Sequence, residues 1–400
     1  MSSPFYRLAL VLGLLSAVGP FAIDMYLPAL PSIGKSLGTT TAGAQASLMA
    51  FFAALGVGQL VYGPLADLAG RKPALYAGLL VFGAASIGCA LAPDIQTLVA
   101  LRFVQGIGAC AGMTVPRAVV RDLYTGHDAT RMMSLLMLVF SVSPILAPLM
   151  GSFLIEALGW RSVFWAVTVV AALGLLLLAT SLPETRPRQL QAQASVASAL
   201  AGYRVLLRDR HFLGLALTCA FGVSSFFAYL ANSSFVLIDH YGLTPRQYGL
   251  AFAANAASFI GVSQFTSRLG RRFGMVPLVR FAVAGYAGLM ALLLVLQLLG
   301  VGQLWVLGLL LLVGYGFLGL VVPTTAVLAM EEHGEFAGAA SGLLGTLQFV
   351  AGALTMAVVG PFADGSALPM VAGIAAYALL AWAFALGTLG RGSARAQGSA

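Results

Sequence analysis

Charge is what this sequence has least of. Aspartate, glutamate, lysine and arginine together make up 8% of its 400 residues, against about 25% in ordinary soluble domains. Apolar residues reach 60%, where about 45–50% is usual. A chain so poor in charge cannot cover itself with a water-facing surface, which excludes a soluble protein and a protein with a single anchor. Cysteine is scarce as well. Cys89, Cys110 and Cys219 all lie in apolar segments without metal-ligand spacing, and read as small core residues rather than disulfide partners or thiolate ligands. The four histidines, His127, His211, His240 and His333, fall at segment ends. No clustered His/Asp/Glu set and no Ser–His–Asp set emerges, which argues against a membrane-embedded enzyme or a bound metal. No Gly-x-x-x-x-Gly-Lys-Ser/Thr run is present, so coupling to ATP would need a separate subunit.

Long apolar runs are what the sequence does have. A spanning helix needs about 20 mostly apolar residues, and twelve such segments can be placed: 6–30, 43–65, 74–92, 95–117, 131–155, 160–182, 211–238, 247–268, 277–298, 303–329, 336–360 and 367–389. Arg7 followed by an apolar run imitates a signal peptide. No small-residue cleavage site follows, so the run reads as a retained first helix. The formal net charge of +8 would suggest nucleic acid in a soluble chain. Here the bases sort by loop instead: with both termini in the cytoplasm, 17 of the 21 lysines and arginines fall on that side. Only Lys35, Arg161 and Arg246 lie outside, and Arg102 lies within the fourth segment. One long polar connection, 183–210, divides the chain into halves of six segments, 1–182 and 211–390, leaving 391–400 as a cytoplasmic tail.

Internal repetition is weak. At a shift of 200, Gly70-Arg71-Lys72 matches Gly270-Arg271-Arg272, and Asp24 becomes Ser224. Near a shift of 207, Val115-Pro116 matches Val322-Pro323 and Gly112 matches Gly319. The expected fold is all-α and membrane-integral: twelve spanning helices in two pseudo-symmetric six-helix bundles. The second half lacks the charges of the first, so coupling chemistry belongs to the first.

Residues 63–73 read Gly-Pro-Leu-Ala-Asp-Leu-Ala-Gly-Arg-Lys-Pro, placing Asp67, Arg71 and Lys72 within six residues. Such charges mark a turn between two spanning helices at a membrane surface, and Arg71 and Lys72 put that turn in the cytoplasm. Gly63 and Gly70 lack a Cβ, so a neighbouring helix can approach closely. An ordinary basic loop would share these charges. The pattern Gly-x-Leu-Ala-Asp-x-x-Gly-Arg-Lys is more specific and resembles the signature between helices two and three of the major facilitator superfamily of transporters. The resemblance extends over the whole chain. Asp24-Met25-Tyr26-Leu27-Pro28-Ala29-Leu30-Pro31 resembles the first-helix signature of its bicyclomycin- and chloramphenicol-resistance subfamily of drug:proton antiporters. Gly159-Trp160-Arg161 and Leu182-Pro183-Glu184-Thr185 resemble markers of the same subfamily.

Three constellations carry chemistry. A bare carboxylate at Asp24 would cost about 2.5 kcal/mol or more in the membrane. It therefore faces a cavity, pairs with a base or takes up a proton, unless it is an interfacial residue beside the helix-breaking Pro28. Arg102, in a stretch resembling Arg-x-x-Gln-Gly-x-Gly-Ala, cannot readily lose its proton. It either tunes a nearby carboxylate or holds backbone carbonyls at a helix break. Gly106, Gly108 and Gly112 read as close-packing positions rather than a phosphate loop. At the cytoplasmic end Asp122 could accept from Arg71, and Asp67 from Arg121 or a helix N-terminus. That cluster is either a latch between the halves or a set of solvated ion pairs worth about 0–1 kcal/mol.

In the fifth segment Pro144, Ala147, Pro148 and Gly151 form a degraded version of the exporters' antiporter signature, Gly-Pro-x-x-Gly-Gly, in which every substitution is to a small residue. A substrate cavity is expected between the halves near the midplane. Its candidate lining is Tyr26, Met137, Phe140, Phe226, Tyr229, Asn232, Asn255 and Gln348, residues of a kind that taken singly are more often packing than contact. The resemblance implies a proton-coupled exporter of amphipathic or lipophilic drug-like molecules, monomeric, in the inner (cytoplasmic) membrane. It would use no cofactor beyond the proton gradient and have no nucleic-acid partner. The alternative is a proton-coupled transporter of a sugar, nucleoside or amino acid.

Overall fold

The computed structural model describes residues 3–186, 196–331 and 337–396. Among the described residues there are helices and turns and no strand. The chain runs through α1 (Ser3–Asp24), a 3-10 turn (Leu27–Ala29), α2 (Leu30–Ser36), α3 (Thr41–Ala69), α4 (Arg71–Leu91), α5 (Ile95–Leu123), α6 (Gly126–Leu158) and α7 (Arg161–Ser181). It continues through α8 (Val196–Leu206), α9 (Arg210–Ser234), a π-helical turn (Phe235–His240), α10 (Pro245–Ser263), α11 (Thr266–Phe273) and α12 (Met275–Leu298). Last come α13 (Leu304–Glu331), α14 (Ala337–Val359), a 3-10 turn (Gly360–Phe362) and α15 (Leu368–Ala396). Helix is the only open-chain element that satisfies its own backbone in lipid, so a chain of apolar runs has no alternative.

Eleven of these stretches are long and apolar enough to span a membrane. The eighth expected segment, 247–268, is not among them. Its helix α10 carries Arg246, Gln247 and Asn255, and it stops at Ser263 before the short α11. The first expected segment is also interrupted, because α1 ends at Asp24 and Pro28 and Pro31 open new turns. Within the connection 183–210, residues 196–206 form α8. The final helix continues past residue 390, where a tail was expected, to Ala396. Outside the spans, polar residues cap helices. The side chains of Thr40, Asp94 and Asp209 accept backbone N–H bonds at the starts of α3, α5 and α9, and Thr244 and Gln247 form a capping box on α10.

The chain forms two compact units, 1–199 and 200–400. In the first, α1 packs on α5, α6 and α7, α3 on α5, and α4 on α5 and α7. In the second, α9 packs on α13, α14 and α15, α10 on α13, and α12 on α13 and α15. The same pairing order is thus used twice. The register suggested by Gly70 and Gly270 does not survive, however. Gly70 starts α4 with φ 99° and ψ 162°, and the residue that repeats this conformation is Gly274, at the start of α12, with φ 85° and ψ 150°. Gly270 sits inside α11. A positive φ at a tight helix junction selects glycine, whereas a Gly-Arg string inside a helix is only a resemblance of letters. The glycines at a shift of 207 part company too. A Cβ on Gly112 would stand 2.5 Å from the Leu15 carbonyl oxygen of α1, and one on Gly319 would stand 2.2 Å from the Phe259 carbonyl oxygen of α10.

Candidate functional site

The first unit buries ionisable side chains at two levels. Asp24 is the last residue of α1 and 6% exposed. Its carboxyl neighbours the Ser143 hydroxyl of α6, outside hydrogen-bond geometry. Ser143, Ala147 and Gly151 follow at four-residue spacing and so share one face of α6; all three are buried. A Cβ on Gly151 would lie 2.3 Å from the Met25 carbonyl oxygen. The small residues of the degraded fifth-segment motif therefore let α6 close on the break that ends at Asp24. Sequence reasoning alone does not join these two motifs, and it does not single out Ser143. Pro144 and Pro148 remain inside one continuous helix.

Arg102 of α5 is completely buried. The rings of Tyr26 and Phe51 lie 4.3 Å and 4.2 Å from its guanidinium carbon, with Phe164 at 5.9 Å. One Nη donates to Gln105 Oε1 at 2.6 Å and to the Ala22 carbonyl at 3.4 Å. Gln105 in turn donates to Ser86 Oγ at 2.7 Å. Among the described residues, Nε and the second Nη have no hydrogen-bond partner. Among the described residues no ion pair joins Asp24 and Arg102. Cation–π contacts in a dry site are worth about 2 kcal/mol, less than the several kcal/mol lost on desolvating an ion. The guanidinium is therefore held without a neutralising partner. Tyr26, expected to line a cavity, is instead wholly buried as one wall of this cage, with its hydroxyl 2.6 Å from Ser47 Oγ. A flat aromatic ring next to the helix break is well placed to stack on a guanidinium.

The second level is the α3–α4 junction. Arg71 donates to both Asp122 oxygens, at 2.7 and 3.2 Å, and to Asp67 Oδ1 at 2.8 Å. Asp67 also pairs with Arg186 at 2.9 Å. It does not pair with Arg121, which is exposed on the last turn of α5. Glu184 accepts backbone N–H bonds from Arg71, Lys72, Thr185 and Arg186 at 2.9–3.0 Å. Burial pushes the Glu184 carboxyl up, and these four donors outweigh it, holding it below the usual glutamate value. The stretch Leu182-Pro183-Glu184-Thr185 thus has a physical role. Its glutamate caps α4, whose own N-cap Gly70 has no side chain to do so. Lys72 reaches over Tyr76 at 5.9 Å. Gly63 has open space where a Cβ would be, so close helix approach is not its reason, and Gly70 is needed for its positive φ. Every one of these bonds lies inside the first unit.

Among the described residues, the second unit buries polarity without charge. Tyr229, Phe226, Phe252 and Tyr315 form an aromatic cluster with centroids 5.4–6.2 Å apart. Asn255 donates to the Tyr229 hydroxyl at 3.1 Å, and the Tyr315 hydroxyl is buried without a partner. Ser225 lies 2.6 Å from the Tyr286 hydroxyl and donates to the Ile374 carbonyl. Asn232 donates to the Ala228 carbonyl, and Gln348 to Cys219 Sγ, apart from that cluster. Met137 and Phe140 fall on α6, and their side chains lie outside the described residues. Among the described residues no group of His, Cys, Asp and Glu is disposed to hold a metal.

Comparison with known proteins places this geometry. An uncharacterized MFS-type transporter of Bacillus subtilis (strain 168), YdgK, is 37% identical over 365 residues, covering 91% of this chain and 90% of the relative. A bicyclomycin resistance protein homolog of Haemophilus influenzae is 29% identical, over 90% of this chain and 91% of that protein. The crystal structure of a D-xylose-proton symporter superposes with a TM-score of 0.71 at 17% identity, covering 96% of this chain and 98% of that one, which bears on the fold alone. A family model described as Major Facilitator Superfamily matches residues 12–356. This multi-pass membrane protein is a transporter, not an enzyme, and belongs to the major facilitator superfamily.

Proposed function

We propose that the chain is a proton-driven exporter of amphipathic or lipophilic drug-like molecules, working by alternating access as a monomer in a bacterial-type inner membrane. The observation that carries the reading is Asp24: a carboxyl buried at a helix break, with no cation among the described residues bonded to it, so that it is comfortable there only when it carries a proton. Proton uptake lets the break close on the apolar face of α6, and proton loss draws water or a cationic substrate to it. Arg102, fixed by its aromatic walls and Gln105, acts on Asp24 through space rather than by contact, favouring the charged form when the break opens. The Asp67–Arg71–Asp122–Glu184 junction ties the ends of α3, α4 and α5 together on the cytoplasmic side of the first unit. Energy comes from the proton gradient, with no further cofactor. The resistance name borne by a relative at 29% identity supports drug-like cargo over a sugar, nucleoside or amino acid.

The test is a panel of toxic compounds applied to cells making the native chain or Asp24→Asn. The native chain should lower intracellular accumulation of several of them, and Asp24→Asn should not, while purified Asp24→Asn still binds them. Uphill efflux by Asp24→Asn under a pH difference would remove Asp24 from the coupling role. Accumulation of a nutrient in place of drug efflux would favour the metabolite reading. The proposed orientation has its own check: a cysteine replacing Asp364 should react with an impermeant reagent from outside, and one replacing Lys72 should not.

A further inference from the structure

Helix α8 and the residues that follow it are not used by the mechanism above. Leu200 and Leu207 are 60% and 51% exposed, and Val205 is exposed with them. Arg204, Arg208 and Arg210 are exposed, and among the described residues none of the three makes an ion pair. Leu200 and Arg204 follow at four-residue spacing, so leucine and arginine share one edge of the helix, and Leu207 and Arg208 follow in the connection to α9. Gly202 and Leu206 are buried on the opposite side. The only acid between Glu184 and Asp239 is Asp209, and its carboxylate is occupied by the backbone N–H groups of His211 and Phe212 at the start of α9. The surface is therefore basic and apolar at once.

Its place relative to the bilayer follows from chain length. Residues 207–209 join α8 to α9, which begins a stretch long and apolar enough to span, Arg210–His240. Three residues reach about 10 Å, so α8 cannot leave the level at which that span ends. A helix held there and standing in water would gain nothing from exposed leucines. The same helix lying on lipid would sink Leu200 and Leu207 to the acyl boundary and turn its arginines to phosphates.

We propose that α8 with residues 207–210 is an interfacial helix that binds anionic phospholipid headgroups. A guanidinium takes a phosphate by two parallel hydrogen bonds and keeps its charge at every physiological pH, so the preference is for anionic over zwitterionic lipid. Each arginine near such a surface is worth about five-fold in affinity, falling as salt rises. The assignment is independent of the cargo and of Asp24.

The experiment uses the purified full chain in nanodiscs of phosphatidylcholine, with or without phosphatidylglycerol of the same acyl chains. Val205 is replaced by cysteine and carries a polarity-sensitive dye; Cys89, Cys110 and Cys219 are buried and spared. Dye emission should shift to the blue when phosphatidylglycerol is included, and the shift should shrink at high salt. In detergent, native mass spectrometry should show retention of phosphatidylglycerol over phosphatidylcholine. Changing Arg204→Gln, Arg208→Gln and Arg210→Gln together should cut that retention at least about five-fold, with a thermal melting curve measured alongside as proof of folding. Equal retention by the triple variant, or a dye as water-exposed with the anionic lipid as without it, overturns the proposal. So does a blue shift that depends on protein concentration, which would assign the surface to a second copy.

Discussion

The two units use the same helix pairing and bury opposite kinds of polarity. The first holds Asp24, Arg71 and Arg102 inside; the second holds Tyr229, Tyr248, Tyr286, Tyr315, serines, threonines and Asn255. A neutral hydroxyl or amide can be satisfied by one nearby acceptor, as Asn255 and Tyr229 satisfy each other. A buried ion without a counter-ion cannot, and stays sensitive to any change around it. The frame is duplicated, then, and the responsive chemistry sits in one copy. That is how a protein with a repeated frame can work asymmetrically.

The largest effect should separate stability from function at Arg102. Arg102→Met removes an unneutralised charge and keeps the volume between Tyr26 and Phe51. Thermal stability should hold or rise, by about 1–4 kcal/mol if it behaves like other buried ions exchanged for apolar residues, while efflux is lost. A large fall in stability would mean that Arg102 has a counter-ion in the resting protein, and the contrast between the units would lapse.

Next comes the junction. Asp122→Asn leaves the buried Arg71 without its two-oxygen partner and should cost about 1.5–3 kcal/mol. Asp67→Asn should cost less, because that side chain is 42% exposed where Arg71 is 4%. Both variants should reach the membrane and transport poorly. Full transport in both would reduce the junction to a surface ornament.

A closely matched pair tests the shared frame. Gly151→Ala and Gly319→Ala each drive a Cβ into a backbone carbonyl oxygen, of Met25 and Phe259 respectively. Each should destabilise by about 1–3 kcal/mol. Only Gly151→Ala should also displace the break at Asp24 and alter the pH dependence of efflux. Equal pH profiles for the two would detach the α6 face from Asp24.

Glu184→Gln should cost about 1 kcal/mol, the scale of a lost helix cap. Its folded-state value is depressed, so the native advantage is complete above the ordinary value of 4.5 and disappears as the pH falls below it. Melting curves of native and variant protein should converge in acid; a gap that widens there would refute the capping role. The smallest effect is expected in the second unit. Tyr315→Phe deletes an unpartnered hydroxyl, and both stability and efflux should change by less than about 0.5 kcal/mol equivalent. A pronounced loss of efflux would put chemistry into the unit described as neutral.

Class, helix content and the two halves were legible because they rest on composition and period. Sixty per cent apolar residues in runs of spanning length leave helices as the one solution. The importance of residues 63–73, Asp24 and Arg102 was legible because charge in such runs is rare. The Arg71–Asp122 pair was legible as well; the other partners were not. Asp67 was expected to accept from Arg121 or a helix N-terminus, and Arg71 and Arg186, the latter 119 positions away, are its partners instead. Tyr26 was expected to face a cavity and covers Arg102 instead. Gly274, not Gly270, repeats Gly70, since φ is a property of a junction that letters alone do not reveal.

By itself, then, the sequence determined that this chain is a helical membrane protein, where its scarce charges lie along the chain, and that Asp24 has a serine at the matching place in the second half. Those follow from side-chain transfer energies and helical period, which are local. Only the tertiary structure decided that Ser143, Ala147 and Gly151 meet the break at Asp24, that Arg102 lies between two rings without a carboxylate, and that Glu184 caps α4. Those depend on which helix faces come together, and a helix rotated by a single residue, about 100°, would present a different set of side chains to the same neighbour.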